Sequence, residues 1–187
     1  MAMPNPRVDW TLEMVHALPD DGNRYELLDG ELLVSPAPSL AHQRVLLALY
    51  DLIRPHTASL GDCETLLAPA AVTFSLRREL QPDLLVLPLV GGRMVEKFTD
   101  VGRLLLAVEV LSPSTTRNDR YKKRTAYQQE GVPEIWIVDP AGRFVERWRP
   151  ADVEPDVFLE TLEWQPRADV PALVVDLVQL FRAALDG

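Results

Sequence analysis

Residues Arg103 to Asp139 read RLLLAVEVLSPSTTRNDRYKKRTAYQQEGVPEIWIVD, and this stretch parses as strand, turn, basic helix, strand. Leu104 to Leu111 is almost wholly apolar and is bounded by the turn residues Ser112, Pro113 and Ser114. A short apolar run with such borders is expected to be a strand buried on both faces. It carries one carboxylate, Glu109, near its far end. An ionised glutamate in that position costs on the order of several kcal/mol unless it is paired or bound to a metal. Upstream, Gln81-Pro82-Asp83 leads into a second apolar strand, LLVLP, with a carboxylate at its start. Downstream, Arg117, Arg120, Lys122, Lys123 and Arg124 place five cations within eight residues. Two carboxylates at buried strand ends beside a basic helix point to divalent-metal chemistry on phosphate.

Working outward, the helix is expected from about Asn118 to Glu130, stopped by Gly131 with Pro133 beyond it. Glu134 to Val138 is the next strand. Phe144–Arg149 and Val157–Trp164 alternate apolar and polar residues, as an edge hairpin would. Leu173 to Leu185 reads as a strand or turn plus a short helix. Toward the N-terminus, Tyr25 to Val34 (YELLDGELLV) carries Asp29-Gly30, the strongest short hairpin signal. If those two residues form the turn, Leu28 pairs with Glu31 and Glu26 with Leu33. A helix from about Ser39 to Arg54 follows, with Pro55 as its expected stop. His42, Leu46, Leu49 and Ile53 form one apolar stripe on it, His42 at the entrance end. Two strands are expected near Glu64–Leu67 and Ala71–Leu76, then a polar loop at Arg77-Arg78-Glu79. Gly91 to Thr99 is a surface connector. Thr11 can cap a short helix ending before Pro19, and residues 1–10 form an N-terminal arm.

The chain has 187 residues, 47% of them hydrophobic and 25% charged, enough for one domain spanning 1–187 with a sizeable core. A net charge of −9 argues against a general nucleic-acid coat or a membrane-surface protein. Nucleic-acid binding would then rest on local basic clusters or metal ions. A single cysteine, Cys63, excludes an intramolecular disulfide and offers no zinc signature. No leader and no membrane-length apolar run is seen, so no membrane partner and a cytoplasmic setting are expected. Phosphate-loop, dinucleotide-binding, nucleophile-elbow and HExxH motifs are absent, and His16, His42 and His56 lack metal-motif spacing.

The candidate site is therefore Asp83 and Glu109 as hard oxygen ligands for Mg²⁺, with Mn²⁺ as a substitute. Mg²⁺ often takes only one or two carboxylates and fills its remaining positions with water and substrate phosphate. The plainer alternative is a turn-opening Pro-Asp and a Glu109 paired with an arginine. Lys123 could position the attacking water or neutralise the pentavalent phosphate. Arg120, Lys123, Arg124 and Tyr127 share a helix face. Arg120, Arg124 and Tyr127 are thus candidate substrate contacts, against the plainer reading of a solvated flank. His42, Glu26 and Glu31 are weaker candidates: a core histidine and the open face of a hairpin explain them as well.

Proline-aspartate, then glutamate, then lysine resembles the PD-(D/E)XK restriction-endonuclease-like superfamily. More specific are YELLDGEL (Tyr25–Leu32), SPAP with His42 shortly after, QPDL (Gln81–Leu84), EVLSPST (Glu109–Thr115), DRYKK with Tyr127, and GVPEIWIVDP (Gly131–Pro140). In that order they resemble the Uma-type family of putative restriction endonucleases, over roughly residues 11 to 181. The resemblance implies an α/β fold, an α+β mixed sheet flanked by helices, with a restriction-endonuclease-like core. The expected activity is Mg²⁺-dependent hydrolysis of phosphodiesters, in DNA with an RNA-directed nuclease as the alternative, by a homodimer; the resemblance does not itself supply the substrate. Asp83 and Glu109 match its metal-binding carboxylates, Lys123 its helix-borne lysine, and His42 and Glu31 recurrent positions. The superfamily's usual lysine position, two residues after the glutamate, is Leu111 here. The rival expectation is a catalytically silent module binding nucleic acid or protein, which the acidic charge favours.

Overall fold

The computed structural model describes residues 8–94, 103–112, 116 and 118–186. Pro113, Ser114 and Arg117, the first seven residues and most of the 91–99 connector lie outside them. The centre is a six-stranded mixed sheet in the order β10-β9-β8-β7-β6-β3. It is built from β3 (Cys63–Leu67), β6 (Leu84–Pro88), β7 (Leu106–Val110), β8 (Ile135–Asp139), β9 (Phe144–Trp148) and β10 (Asp156–Phe158). β7 and β8 run parallel, and the other neighbours are antiparallel. The parallel pair requires a crossover, and the basic helix supplies it.

Every residue of β7 is buried, which explains why its run is apolar apart from Glu109. Val86, Val108, Trp136 and Val138 pack on one face against Leu46, Leu49 and Ile53 of α2 (Leu40–Leu60) and Phe181 of α4 (Leu177–Leu185). Leu85, Ala107 and Ile137 pack on the other face against Tyr127 of α3 (Arg124–Gln129) and Leu80. That second face meets a four-stranded sheet, β2-β1-β5-β4. Its members are β1 (Arg24–Leu28), β2 (Glu31–Ser35), β4 (Val72–Ser75) and β5 (Arg78–Leu80). Alternation along the strands puts Asp83 and Glu109 on this side, between the two sheets.

The hairpin forms at Asp29-Gly30, with Leu28 opposite Glu31 and Glu26 opposite Leu33. Both turn residues have positive φ, 51° and 86°, as the tight hairpin turn that matches strand twist requires. Thr11 caps α1 (Leu12–His16) as expected, its hydroxyl accepting from the Met14 N–H. The arm is tied down where it is described: Trp10 N–H donates to Gly30 O at 2.9 Å and Arg77 pairs with Asp9.

Three expectations are corrected. Pro55 does not end α2; the helix runs on to Leu60 and stops at Gly61, whose φ of 73° is left-handed. Interior proline removes one helical hydrogen bond, and Pro55 is exposed, so it makes no compensating core contact. Pro55→Ala is expected to raise the unfolding free energy, by up to about 3 kcal/mol, as read by urea denaturation. Arg78-Glu79 is not a loop but strand β5, buried because Arg78 is neutralised by Asp29 and Glu130, both at 2.7 Å. Val157–Trp164 is not one element. β10 extends the main sheet, whereas β11 (Thr161–Trp164) pairs with β12 (Leu173–Asp176).

Candidate active site

Extending the β6–β7 register one step beyond Leu84↔Val108 sets Asp83 opposite Glu109. Asp83 is clamped on both oxygens. Arg24 Nη1 donates to Oδ1 at 2.7 Å; His42 Nε2 and the Val110 N–H reach Oδ2 at 3.0 and 2.8 Å. Burial alone would raise its pKa, but the His42 hydrogen bond and the Arg24 charge overcome that and hold the carboxyl well below the usual range. Ser39 starts α2 by accepting from the His42 N–H, which sets His42 at the helix entrance over the strand ends.

Glu109 has no exposed surface. Its Oε1 receives Tyr127 Oη–H at 2.6 Å and the Lys123 ammonium at 2.7 Å, while among the described residues Oε2 has no hydrogen-bond partner. Burial drives its pKa well above the ordinary value, and Lys123 offsets only part of that. Lys123 also contacts Glu26 Oε1 at 2.8 Å and Gln81 O at 3.3 Å, with Asp119 at 3.8 Å. Burial opposes its charge, yet Glu109, Glu26 and Asp119 more than offset this and raise its pKa, so it stays protonated.

The lysine gets there through an irregularity. Asn118–Lys123 forms a π-helical turn that runs into α3. Such turns insert a residue into a helix and often occur at functional sites. The helix face read from regular spacing is thereby split. Lys123 and Tyr127 enter the site. Arg120 instead pairs with Asp139 and Glu146 at 3.2 and 3.0 Å, and Arg124 stacks over Trp148 with its guanidinium carbon 4.1 Å from the ring centroid. Tyr127 is fully buried and touches Glu109 rather than solvent. Glu31 is not brought to the cluster: it is exposed and pairs with Lys122 at 2.5 Å. Glu109 is paired with a lysine and a tyrosine, not with an arginine.

Two residues of the cluster, Arg24 and Asp119, escaped sequence reading, and Glu26 was only a weaker candidate there. Glu26, 1% exposed, is a member of the buried network and not an open-face glutamate; it also accepts from the Gln81 N–H at 2.7 Å. Arg24 was not singled out, and its only sequence signal was its place two residues before Glu26. Cys63 is buried, which pushes its thiol up to about 11 and disfavours the thiolate.

The donor set tests whether a metal fits. Four buried carboxylates, Glu26, Asp83, Glu109 and Asp119, gather around Arg24 and Lys123, and among the described residues Glu109 Oε2 is a buried oxygen with no hydrogen-bond partner. Among the described residues no three His, Cys, Asp or Glu side chains converge on one ion position. Two hard carboxylates on adjacent strands nevertheless suit Mg²⁺, which needs no complete protein cage. The donor chemistry therefore fits.

A cleft of about 610 Å³ opens beside this cluster, lined by Arg24, His42, Gln81, Asp83 and Ser112 among others. Glu109 and Lys123 do not line it. Among the described residues no helix is long and apolar enough to cross a membrane.

A family profile described as Uma2, putative restriction endonuclease, matches residues 12–178. Among solved structures, a putative nuclease belonging to DUF820 from Anabaena variabilis ATCC 29413 superposes with a TM-score of 0.75 at 22% identity, covering 94% of this chain and 99% of the other. That likeness supports the mixed-sheet fold. No curated protein matches the sequence.

Proposed function

The chain belongs to the Uma2 family of putative restriction endonucleases, and from that premise we propose that it is a metal-dependent nuclease hydrolysing phosphodiester bonds in DNA. The observation that carries this reading is the pairing of Asp83 and Glu109 on adjacent strands, with the Lys123 ammonium 2.7 Å from Glu109. Mg²⁺ (or Mn²⁺ in its place) would be held by Asp83 and Glu109, and when bound it supplies a Lewis acid that lowers the pKa of water and offsets charge developing on phosphorus.

The chain's own residues have separable tasks. His42 and Arg24 fix the orientation of the Asp83 carboxylate. Tyr127 and Lys123 hold Glu109 through Oε1 and, among the described residues, leave Oε2 without a hydrogen-bond donor. Lys123, held among Glu26, Glu109 and Asp119, would serve as a fixed positive charge that offsets negative charge developing on the phosphate in the transition state. Arg120 and Arg124 are engaged elsewhere, so phosphate contacts from that helix are assigned to neither.

The test is cleavage of supercoiled plasmid, single-stranded DNA and RNA with Mg²⁺, Mn²⁺ or EDTA. Asp83→Asn and Glu109→Gln proteins, purified identically, control for contaminating nuclease. Metal-dependent cutting that falls at least about 100-fold in both variants supports the reading, a loss of the size seen when a preorganised charge is removed. Equal activity in all three proteins sinks it. A second readout does not depend on turnover. Millimolar Mg²⁺ is expected to raise the melting temperature of the wild type and not of Asp83→Asn, since a ligand bound only by the folded state stabilises it.

The second reading is a catalytically silent binding module that keeps the fold, favoured by the net charge of −9. It predicts neither cutting nor a heat of Mg²⁺ binding in calorimetry. DNA as substrate and a homodimeric state belong to the proposal; the family likeness supports a nucleic-acid substrate.

A further inference from the structure

The cleft holds a second pair of polar groups that the reaction above leaves unused. His16, the last residue of α1, sets Nε2 2.8 Å from Glu79 Oε1. Glu79, on β5, is 5% exposed, and its other oxygen accepts from Thr73 Oγ1 at 2.7 Å. With the carboxylate accepting, Nε2 is the donating nitrogen and Nδ1 is the ring's remaining position. The His16 side chain is 59% exposed while that of Glu79 is 6% exposed, so the ring is anchored at one end and open at the other.

Both residues line the same cleft as Asp83. Glu79 precedes Asp83 by four residues, so their backbones are at most about 14 Å apart. The other charged or titratable groups lining this space are Asp20, Arg24, Tyr25, His42 and Asp83. Arg24 and His42 are both engaged by Asp83, and Tyr25 donates to Asp21 at 2.7 Å. Of the two imidazoles, His42 is buried, so His16 is the one a substrate entering the cleft can reach. A carboxylate on one imidazole nitrogen fixes the tautomer and stabilises the protonated ring during proton transfer.

We infer that His16, oriented by Glu79, is the proton donor to the leaving oxygen in the hydrolysis proposed above, an inference that rests on that reading. Water oxygen bonds to phosphorus while the bond from phosphorus to the departing sugar oxygen breaks. The electron pair of that bond goes to the sugar oxygen, which takes the proton from Nδ1. The attacking water gives its own proton to solvent, and the imidazole recovers one from solvent. His16 is thus a catalytic residue and Glu79 a positioning residue.

The test compares two substrates that differ in leaving group: an oligonucleotide, whose sugar oxygen needs a proton, and a thymidine p-nitrophenyl phosphodiester, whose phenolate leaves without one. His16→Gln is expected to lower kcat on the oligonucleotide by about 100-fold or more, the usual scale of general acid catalysis, and on the aryl ester by far less. Glu79→Gln is expected to move the alkaline limb of the kcat–pH profile on the oligonucleotide alone. An equal loss on both substrates, or no loss on either, overturns the inference. NMR titration of the wild type with the dinucleotide TpT separates this inference from the reading beneath it. Shifts of the His16 ring and of the Val110 amide support both. A shift at Val110 without one at His16 overturns the proton donor and leaves the nuclease site standing. No shift at either position overturns both.

Discussion

Replacing Lys123 by alanine is expected to lower the unfolding free energy by about 3–5 kcal/mol, the cost of breaking a fully buried ion cluster by removing one partner. The lysine is 0% exposed and contacts Glu26 and Glu109 at 2.8 and 2.7 Å. Alanine leaves both carboxylates without their cation and opens a cavity behind Tyr127. In a chain of this size each kcal/mol shifts the melting temperature by roughly 2–4 °C, so a fall of roughly 6–20 °C is expected in calorimetry. The penalty belongs to stranded charge, not to lost attraction. Lys123→Met combined with Glu26→Gln and Glu109→Gln is therefore expected to recover much of it. A triple variant no more stable than Lys123→Ala would refute that account. Lys123→Ala is therefore a poor probe of catalysis, because a dead protein could be an unfolded one.

Asp83→Ala is expected to cost roughly 2–4 kcal/mol, the lower part of the range for a broken buried pair. The discount reflects the partial exposure of Arg24 (19% of its side chain) and its remaining neighbour Glu26 at 3.8 Å. The effect should depend on pH. Asp83 is held below its ordinary pKa, so the folded state releases this proton more readily than the unfolded chain. Its contribution is complete above the unfolded carboxylate range and is lost as pH falls through that range toward the folded value. Glu109, raised by burial, acts in the opposite sense: it favours the folded state at low pH, and that support fades as pH rises above the ordinary glutamate value. Urea midpoints from pH 7 to pH 3 should fall less steeply for Asp83→Asn than for the wild type. Parallel curves would mean that acid sensitivity arises elsewhere.

How far these groups could be read from the sequence depended on the range of the signal. Asp29-Gly30 specifies its own turn, and the hairpin register followed residue for residue. Asp83 and Glu109 were visible because each interrupts an apolar run that otherwise has no reason to carry charge. Glu26 sits in a run of the same kind, yet its polar neighbours suggested an open face. What buries it is Lys123, nearly a hundred positions away. Strand β5 was missed for the same reason: Arg78 and Glu79 look solvent-bound until Asp29, Glu130, His16 and Thr73 are brought to them. Pairing between distant polar residues leaves no periodicity to detect. Pro55 failed differently, because an exposed proline costs one hydrogen bond, and the packing of Ile53 and Thr57 on either side outweighs it.

The π-helical turn at Asn118–Lys123 makes the site dependent on an odd number. One residue advances a helix by about 100°, so the extra residue is what brings Lys123 round to Glu109. Deleting Tyr121, whose side chain is largely exposed, would let the segment close into regular α-helix with little loss of packing. That change would rotate Asp119 and Arg120 relative to Lys123 and Tyr127. A single-codon deletion could thus silence the protein while leaving every residue of the carboxylate–lysine cluster in the chain. An insertion elsewhere in that turn could restore it. Here the reading frame of the helix, and not only its composition, is under constraint.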